Sequence, residues 1–283
     1  MKGRVLIAST VAALLTAAGL GTSTRAGTRR PAAAGFGTPS GAGSSAAAGF
    51  STATGFSTAT GFSTAAGQAN TGTIKGRISV SGKPPGNPVI RMGMDPMCAR
   101  INAGTRVVDE VVVASADGSL ANAFVKLDGS FPRTPVPVEP VTIGQRACIY
   151  GPRVVGARVG QVLRVRNDDN LLHNVHSIST ATNGFNVGQP MAGAQYDFRL
   201  KDEEILKLKC DVHRWMAAYV GVVSHPYFAV SGGDGSFTIS GVPAGRHAIS
   251  AWHERFGTLK QTAAVKPGAT TMVTFAYAGG EKQ

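Results

Sequence analysis

The stretch that decides the fold is Glu204-Ile205-Leu206-Lys207-Leu208-Lys209-Cys210-Asp211-Val212-His213-Arg214-Trp215-Met216. In its first half Leu206, Leu208 and Cys210 alternate with lysines, so apolar side chains share one face and cations the other. This period of two predicts a half-buried strand whose last residue points its thiol inward. Residues 218–223 predict the next strand. The C-x2-H-x2-M segment is therefore a loop that joins two neighbouring strands.

A thiol, two imidazoles and a thioether come together if this loop meets His173, which lies upstream on a separate predicted strand. Cysteine and two histidines in a plane, with methionine as a weak axial ligand, form a mononuclear blue-copper centre. Soft sulfur stabilises Cu(I), whereas imidazole suits both oxidation states. The predicted metal ligands are His173, Cys210, His213 and Met216, and the predicted cofactor is one copper ion.

Other cofactors and chemistries fit the sequence less well. A dinuclear copper centre needs a second cysteine in the loop, and c-type haem needs C-x-x-C-H; the chain has neither. Zinc accepts a cysteine with two histidines, but methionine is a poor zinc ligand. No spacing of Ser, His and Asp indicates hydrolysis. We therefore expect a copper-binding or electron-transfer protein that is not an enzyme. A second site using His225 and His253 is a weaker alternative.

The segments His173-Asn174-Val175-His176 and Cys210-x2-His213-x2-Met216 resemble the cupredoxin family of amicyanin-like and plastocyanin-like blue-copper proteins. The resemblance implies a Greek-key β-sandwich with a type 1 copper site that transfers electrons. It also implies that Asn174 ties the two ligand loops together by hydrogen bonds around the cysteine. If His213 is the exposed electron port, as the resemblance suggests, the neighbouring Arg214 would alter docking and reduction potential.

After about residue 70, the sequence pattern predicts an all-β protein. Short apolar runs broken by Gly, Pro and Asn predict an antiparallel sandwich. The further predicted strands are residues 73–80, 107–113, 121–127, 148–155, 162–167 and 246–252.

Two flanking segments carry a second resemblance. Residues 72–85 and the strands from Asp234 to Trp252 are similar to carboxypeptidase-regulatory-like, transthyretin-type sandwiches. We divide the chain into an N-terminal β segment (71–140), a cupredoxin-like copper domain (141–224) and a C-terminal β segment (225–283). The copper domain is either inserted between two parts of a second sandwich or packed beside one. The sequence leaves both arrangements open.

The N-terminal region predicts export. Lys2 and Arg4 precede an uncharged apolar run to Leu20, which is typical of a signal peptide ending near Ala26. We expect a periplasmic, secreted or cell-envelope location.

Residues 27–70 are rich in Gly, Ala, Ser and Thr and repeat a Gly-Phe-Ser-Thr-Ala unit. Such a segment cannot bury enough apolar surface to offset chain ordering, so it predicts a flexible linker.

The three cysteines constrain the redox chemistry. An exported chain pairs its thiols, and three thiols cannot all pair internally. Cys98 and Cys148 lie outside the ligand loop, so we predict a Cys98–Cys148 disulfide. Cys210 is then the remaining thiol, and metal coordination would keep it reduced. The alternative makes Cys210 a buried structural thiol or pairs it with another cysteine, but leaves His173, His213 and Met216 unexplained.

The charge of the chain bears on its partners. The formal net charge is +12, and it becomes +9 when Lys2, Arg4 and Arg25 are removed with the signal peptide. The remaining cations are spread along the chain, which argues against nucleic-acid binding. Basicity favours an acidic redox partner through electrostatic steering.

The second class of function is a non-enzymatic adhesion module for carbohydrate or protein, with a vestigial copper unit.

Overall fold

The computed structural model describes residues 70–280, and this part of the chain is all-β. The predicted signal peptide and all of the predicted linker except Asn70 lie outside the described residues. No helix among residues 70–280 is long and apolar enough to cross a membrane.

The chain between residues 70 and 280 forms strands joined mostly by turns and short loops, together with one 3-10 turn (Met92–Met94) and one short helix, α1 (Pro96–Ile101). The strands are β1 (Thr71–Ser81), β2 (Phe124–Asp128), β3 (Val141–Arg146), β4 (Ile149–Gly151), β5 (Val154–Arg158), β6 (Val162–Asn167), β7 (His173–Ile178), β8 (Asn186–Gln189), β9 (Gln195–Arg199), β10 (Glu204–Lys209), β11 (Ala217–Val223), β12 (Phe228–Val230), β13 (Ser236–Pro243), β14 (Gly245–His253), β15 (Gly257–Val265) and β16 (Thr270–Ala278).

Strands β3 to β11 form one sandwich, here named the central sandwich. Its two sheets have the strand orders β5-β11-β10-β7-β8 and β4-β3-β6-β9. Alternate residues from both sheets point into a shared core, as the period of two in β10 predicts. Fully buried members of this core include Ile143, Val165, Val175, Leu206 and Val220.

Strands β1, β2 and β12 to β16 form a second sandwich, here named the flanking sandwich. Its sheets have the orders β13-β1-β16 and β12-β2-β14-β15. In β1 the buried Ile74 and Ile78 alternate with exposed Lys75 and Arg77, and β16 lies parallel to β1. The chain leaves this sandwich after β2 and returns at β12. The central sandwich is therefore an insertion within the flanking one, which is the first of the two arrangements that the sequence leaves open.

The two sandwiches pack sheet against sheet through an aromatic layer. Phe124 and Phe228 of the flanking sandwich contact Val154 and Val223 of the central sandwich. Gly221 pairs with Gly156 across β11 and β5. A Cβ atom at Gly221 would lie 2.5 Å from ring atoms of Phe124. Glycine at this position therefore allows the aromatic ring to reach the backbone of the opposing sheet.

A partly buried ion pair also links the two sandwiches. The guanidinium of Arg153, which precedes β5, donates to both carboxylate oxygens of Glu254 at 2.7 and 2.8 Å and to Asp109 at 2.6 Å. Burial opposes the charge of Arg153, but its hydrogen bond with Glu254 and the two nearby carboxylates keep its pKa above the usual value.

Two strand predictions are corrected by the structure. Residues 107–113 contain no strand, and their ladder contact is a single bridge between Val108 and Val89. Their apolar side chains serve packing instead, because Val112 enters the core of the flanking sandwich and Val107 lies beside the disulfide. Residues 148–155 form the two short strands β4 and β5. Pro152 separates them because it has no N–H to continue a ladder.

Candidate metal centre

His173 and Cys210 are brought together by sheet pairing. β7 runs antiparallel to β10, with His176 opposite Lys209. Continued by one residue, this register places Val175 opposite Cys210, so His173, two residues before Val175 on the same face, is a diagonal neighbour of the cysteine. Both side chains point into the central sandwich, where His173 has no exposed surface and Cys210 is 1% exposed.

The loop between β10 and β11 supplies the other two predicted ligands. Its backbone is folded by a hydrogen bond from the N–H of Met216 to the carbonyl of His213 at 2.9 Å. The N–H of Cys210 donates to the carbonyl of Met216 and closes the turn. His213 and Met216 are both 1% exposed, and Met216 belongs to the same core cluster as Cys210.

Three ligand atoms converge on one point inside the sandwich. Nδ1 of His173 lies 2.9 Å from Nδ1 of His213, and the sulfur of Cys210 lies 3.8 Å from Nδ1 of His213. All three groups fit within a span of 4.8 Å. Three of the four predicted ligands thus bring their donor atoms together, and the fourth, Met216, is buried in the same core cluster as Cys210.

Carboxylates hold the far side of both imidazoles. Nε2 of His173 lies 2.9 Å from the carboxylate of Asp169, and Nε2 of His213 lies 2.9 Å from the carboxylate of Asp95. An ionised carboxylate only accepts hydrogen bonds, so each Nε2 carries the proton. The Nδ1 atoms of His173 and His213 are then both unprotonated, and their lone pairs face each other. Two lone pairs this close repel unless a proton or a cation lies between them.

The donor set matches a copper ion. A buried thiol, two imidazole lone pairs and a thioether are the soft and borderline ligands that copper accepts in both oxidation states. Carboxylate–histidine pairs are the usual arrangement by which proteins fix the tautomer and orientation of metal-binding imidazoles. The residues present therefore fit the predicted cofactor.

Burial keeps the first histidine neutral. It lowers the pKa of His173 below 6.5, and the hydrogen bond with Asp169 opposes this effect. The hydrogen bond from His213 lowers the pKa of Asp95 below 3.8. A neutral imidazole and an ionised carboxylate are the forms needed for metal coordination and for orienting a ligand.

The sulfur of Cys210 accepts backbone hydrogen bonds from both ligand segments. The N–H groups of Asn174 and His213 each lie 3.4 Å from this sulfur. The side-chain oxygen of Asn174 accepts from the N–H of Asp211 at 2.7 Å. Asn174 thus joins β7 to the ligand loop around the cysteine, as the resemblance implies. Such contacts stabilise negative charge on the sulfur.

A segment far from the ligands in sequence covers His213. The 3-10 turn and α1 (residues 92–101) are here named the cap. Asp95 is the N-cap of α1 and accepts from the N–H groups of Met97 and Cys98 at 2.9 Å, while its other oxygen faces His213. His213 is therefore not an exposed port, because the cap buries the imidazole edge, and the condition under which Arg214 would act on docking at this edge is not met.

The Cys98–Cys148 disulfide is present and joins the cap to the central sandwich, as the thiol count predicts. Cys210 is the free cysteine. Cys148 and Ala147 have positive φ in the turn between β3 and β4. Asp169 accepts from both of their N–H groups and also contacts His173. The carboxylate of Asp169 therefore fixes two features at once: the orientation of His173 and the conformation of the turn that contains Cys148 of the disulfide.

The other histidines are not brought into this site. His176 points the opposite way along β7 and pairs with the exposed Asp211. Nε2 of His225 bonds the carbonyl of Leu127, whereas His253 packs against Phe256. Neither joins a cluster of three metal-binding groups within residues 70–280. The weaker alternative of a second histidine site therefore has no support from their contacts.

Sequence reasoning missed Asp95, Asp169 and Trp215 as members of the site. Asp169 lies four residues before His173, so a carboxylate close in sequence to a predicted histidine ligand is the signal that could have found it. Asp95-Pro96 is a helix-start signal that predicts α1 but not what α1 covers. Trp215 stood in the ligand loop, and its ring lies 5.2 Å from that of His213.

Comparison with known proteins gives partial likenesses to copper proteins. No family model matches the chain, and no curated protein matches it. A purple cupredoxin from Nitrosopumilus maritimus is 25% identical, over 29% of this chain and 97% of that chain, with a TM-score of 0.26. A reduced amicyanin variant is 18% identical, over 35% of this chain and 97% of that chain, with a TM-score of 0.27.

A copper-containing nitrite reductase from Thermus scotoductus SA-01 is 19% identical over 34% of this chain, with a TM-score of 0.26. The match spans 24% of that reductase. None of the comparisons supports the resemblance of the flanking segments to carboxypeptidase-regulatory-like domains. Inferences about function therefore depend on this chain's own side chains.

Proposed function

We propose that the protein holds one copper ion through His173, Cys210, His213 and Met216 and transfers single electrons outside the cytoplasm. The observation that carries this proposal is the 2.9 Å approach of two imidazole Nδ1 atoms whose Nε2 atoms both face carboxylates. Copper supplies a centre that can hold or lose one electron. The chain supplies two fixed imidazoles, a thiolate and a thioether.

Burial favours electron transfer over copper delivery. A delivery site must exchange ligands with a partner, which requires an accessible metal. Here His173, Cys210 and His213 are at most 1% exposed, and the cap is fastened by a disulfide. A closed site with fixed ligands retains its metal and keeps its geometry when the charge changes. Adhesion, the alternative function, gives no reason for paired carboxylate–histidine contacts in a core.

The test is copper titration of the purified mature protein, with metal analysis and visible spectroscopy. We expect one copper per chain and an intense absorption from Cu(II)–thiolate charge transfer. Cys210→Ser should abolish the colour, and His173→Ala should weaken or lose copper. Met216→Leu should be mildest, since a thioether would bind copper more weakly than a thiolate or an imidazole, and should retain copper at a higher reduction potential.

His176→Ala is the matched control, because His176 lies on the same strand but faces away from the site. It should keep the colour and the stoichiometry of the unmodified protein. Equal copper affinity and equal spectra in Cys210→Ser and the unmodified protein would refute the proposed function. Loss of colour in His176→Ala alone would place the metal on the other face of β7.

A further inference from the structure

The cap closes the direct path from His213 to solvent. The imidazole is 1% exposed, and its outer nitrogen, Nε2, faces the carboxylate of Asp95. The sulfur of Cys98 lies 3.4 Å from the same nitrogen. Because Cys98 is tied to Cys148, the cap is held in place by a covalent bond as well as by packing. A redox partner cannot touch this histidine edge while the cap is closed.

Trp215 lies between His213 and an open cleft. Its ring centroid is 5.2 Å from that of His213, and its Nε1–H donates to the carbonyl of Cys148 at 2.9 Å. The side chain is partly exposed and forms part of the wall of a cleft of about 470 Å³. Ile90, Val107 and Ile149 also line this cleft. The indole therefore spans the distance from a buried ligand to the surface.

We infer that Trp215 is the electron port of the proposed copper centre, with the buried His213 as the link between metal and indole. This inference rests on the proposed function and adds the route to it. An aromatic ring in contact with the ligand offers delocalised orbitals at the point where the imidazole itself is sealed. The hydrogen bond to Cys148 fixes the indole, so the contact with His213 does not depend on a mobile side chain.

The main competing route runs through the ligand loop. Cys210 is followed by Asp211 and Val212, which are exposed, so electrons could leave along the backbone from the sulfur. Val212 is 47% exposed and has no aromatic ring. Trp215→Leu therefore separates the two routes, because it removes the indole and leaves the backbone path from the sulfur intact. Val212→Ala is the matched control for a substitution in the same loop.

The kinetic test uses an inorganic oxidant, tris(phenanthroline)cobalt(III), mixed with the copper(I) protein in a stopped-flow instrument. One electron passes to cobalt, giving cobalt(II) and the copper(II) protein. Trp215→Leu should slow the reaction by about tenfold or more, equal to about 1.4 kcal/mol of activation free energy. Trp215→Phe should restore part of the rate, and Val212→Ala should leave it unchanged. Visible spectrum and reduction potential are measured for every variant.

A second test uses the metal-free protein in a Trp252→Phe background, where Trp215 is the remaining tryptophan. Acrylamide should quench its fluorescence, whereas diethyl pyrocarbonate should leave His213 unmodified. Modification of His213 together with unquenched Trp215 would overturn the inference. So would an unchanged rate in Trp215→Leu when its colour and potential are normal. Failure of the unmodified protein to form a coloured centre would instead refute the proposed function.

Discussion

Asp95 and His213 are in contact, with 2.9 Å between the carboxylate oxygen and Nε2, although 118 positions separate them in sequence. Asp95 belongs to the stretch between β1 and β2 of the flanking sandwich, whereas His213 belongs to the central sandwich. The flanking sandwich therefore does more than carry an inserted domain. The segment between its strands β1 and β2 includes the cap, which packs on the central sandwich and orients His213, one of the predicted metal ligands.

Asp95→Asn tests this contact. Asparagine is also a good N-cap residue, so α1 should remain folded and only the charge facing His213 is lost. Removing a carboxylate partner from a metal-binding histidine typically lowers metal affinity about 10- to 100-fold. We expect a loss of copper affinity in this range and a higher reduction potential, because Cu(II) loses more stabilisation than Cu(I). Competitive copper titration and redox titration measure both.

Asp197→Asn is the control for Asp95→Asn. Asp197 pairs with Arg164 on the surface of the central sandwich and makes no contact with the site. Its replacement should leave copper affinity unchanged. If Asp95→Asn binds copper as tightly as the Asp197→Asn control, the carboxylate does not support the ligand.

The parts of the site that the sequence predicts are those with a local pattern. Alternation in β10 places Leu208 and Cys210 on the buried face, and the loop spacing then places His213 and Met216 beside the thiol. Asp95 has no such pattern. Its contact arises because the cap folds over the end of another sandwich, and no periodicity encodes that meeting.

The flanking sandwich shows the same limit. Residues 107–113 are rich in valine, a β-branched residue typical of strands, yet they form no strand, and Val112 and Val107 pack against neighbouring clusters instead. Apolar content indicates that side chains are buried and does not indicate whether the backbone pairs in a ladder. The insertion of the central sandwich between β2 and β12 is likewise set by the pairing of β1 with β13 and β16, which are distant in sequence.

The disulfide yields a second prediction. Thiol titration of unfolded, metal-free protein should detect one free group, and mass mapping should place it at Cys210. The double variant Cys98→Ala/Cys148→Ala should lose about 2–4 kcal/mol of unfolding free energy, because the bridge restricts the unfolded chain. Urea unfolding measures this loss. More than one free thiol in the unmodified protein would contradict the bridge, and Cys210 found in a disulfide would contradict both the bridge and the metal site.

The interface between the sandwiches yields a third prediction. A Cβ atom at Gly221 would lie 2.5 Å from the Phe124 ring, so Gly221→Ala should cost about 1–3 kcal/mol through overpacking. Gly188→Ala, in β8, is the control because no atom lies within 4 Å of the added Cβ. The cost of Gly221→Ala should shrink in a Phe124→Leu background, since the two positions are in contact. Equal costs in both backgrounds would show that the ring does not require the glycine.

The last prediction concerns acid stability and His253, in β14. This imidazole has no exposed surface, and its Nδ1 accepts from the N–H of Arg255. Its Nε2 has no hydrogen-bond partner within residues 70–280. Burial, with a smaller contribution from the charge of Arg153, lowers the pKa of His253 from 6.5 to about 4. The folded protein therefore keeps this imidazole neutral at pH values where the unfolded chain already binds a proton.

The sign of the effect follows from this difference. Above pH 6.5 the group is neutral in both states and stability is unaffected. As the pH falls from 6.5 to about 4, the unfolded state gains a proton that the folded state does not, so stability declines. Each unit of pKa difference corresponds to about 1.4 kcal/mol, which gives a total loss of roughly 3 kcal/mol. Below pH 4 both states are protonated and the loss stays constant.

His253→Asn should remove this decline, because asparagine does not titrate and its side-chain oxygen can replace Nδ1 as acceptor for Arg255. Urea unfolding of the metal-free protein between pH 4 and pH 7.5 measures the slope for both proteins. His247→Asn, on the same strand but partly exposed, controls for the loss of a histidine and should keep the slope of the unmodified protein. Parallel stability curves for His253→Asn and the unmodified protein would show that water or a proton reaches this imidazole in the folded state.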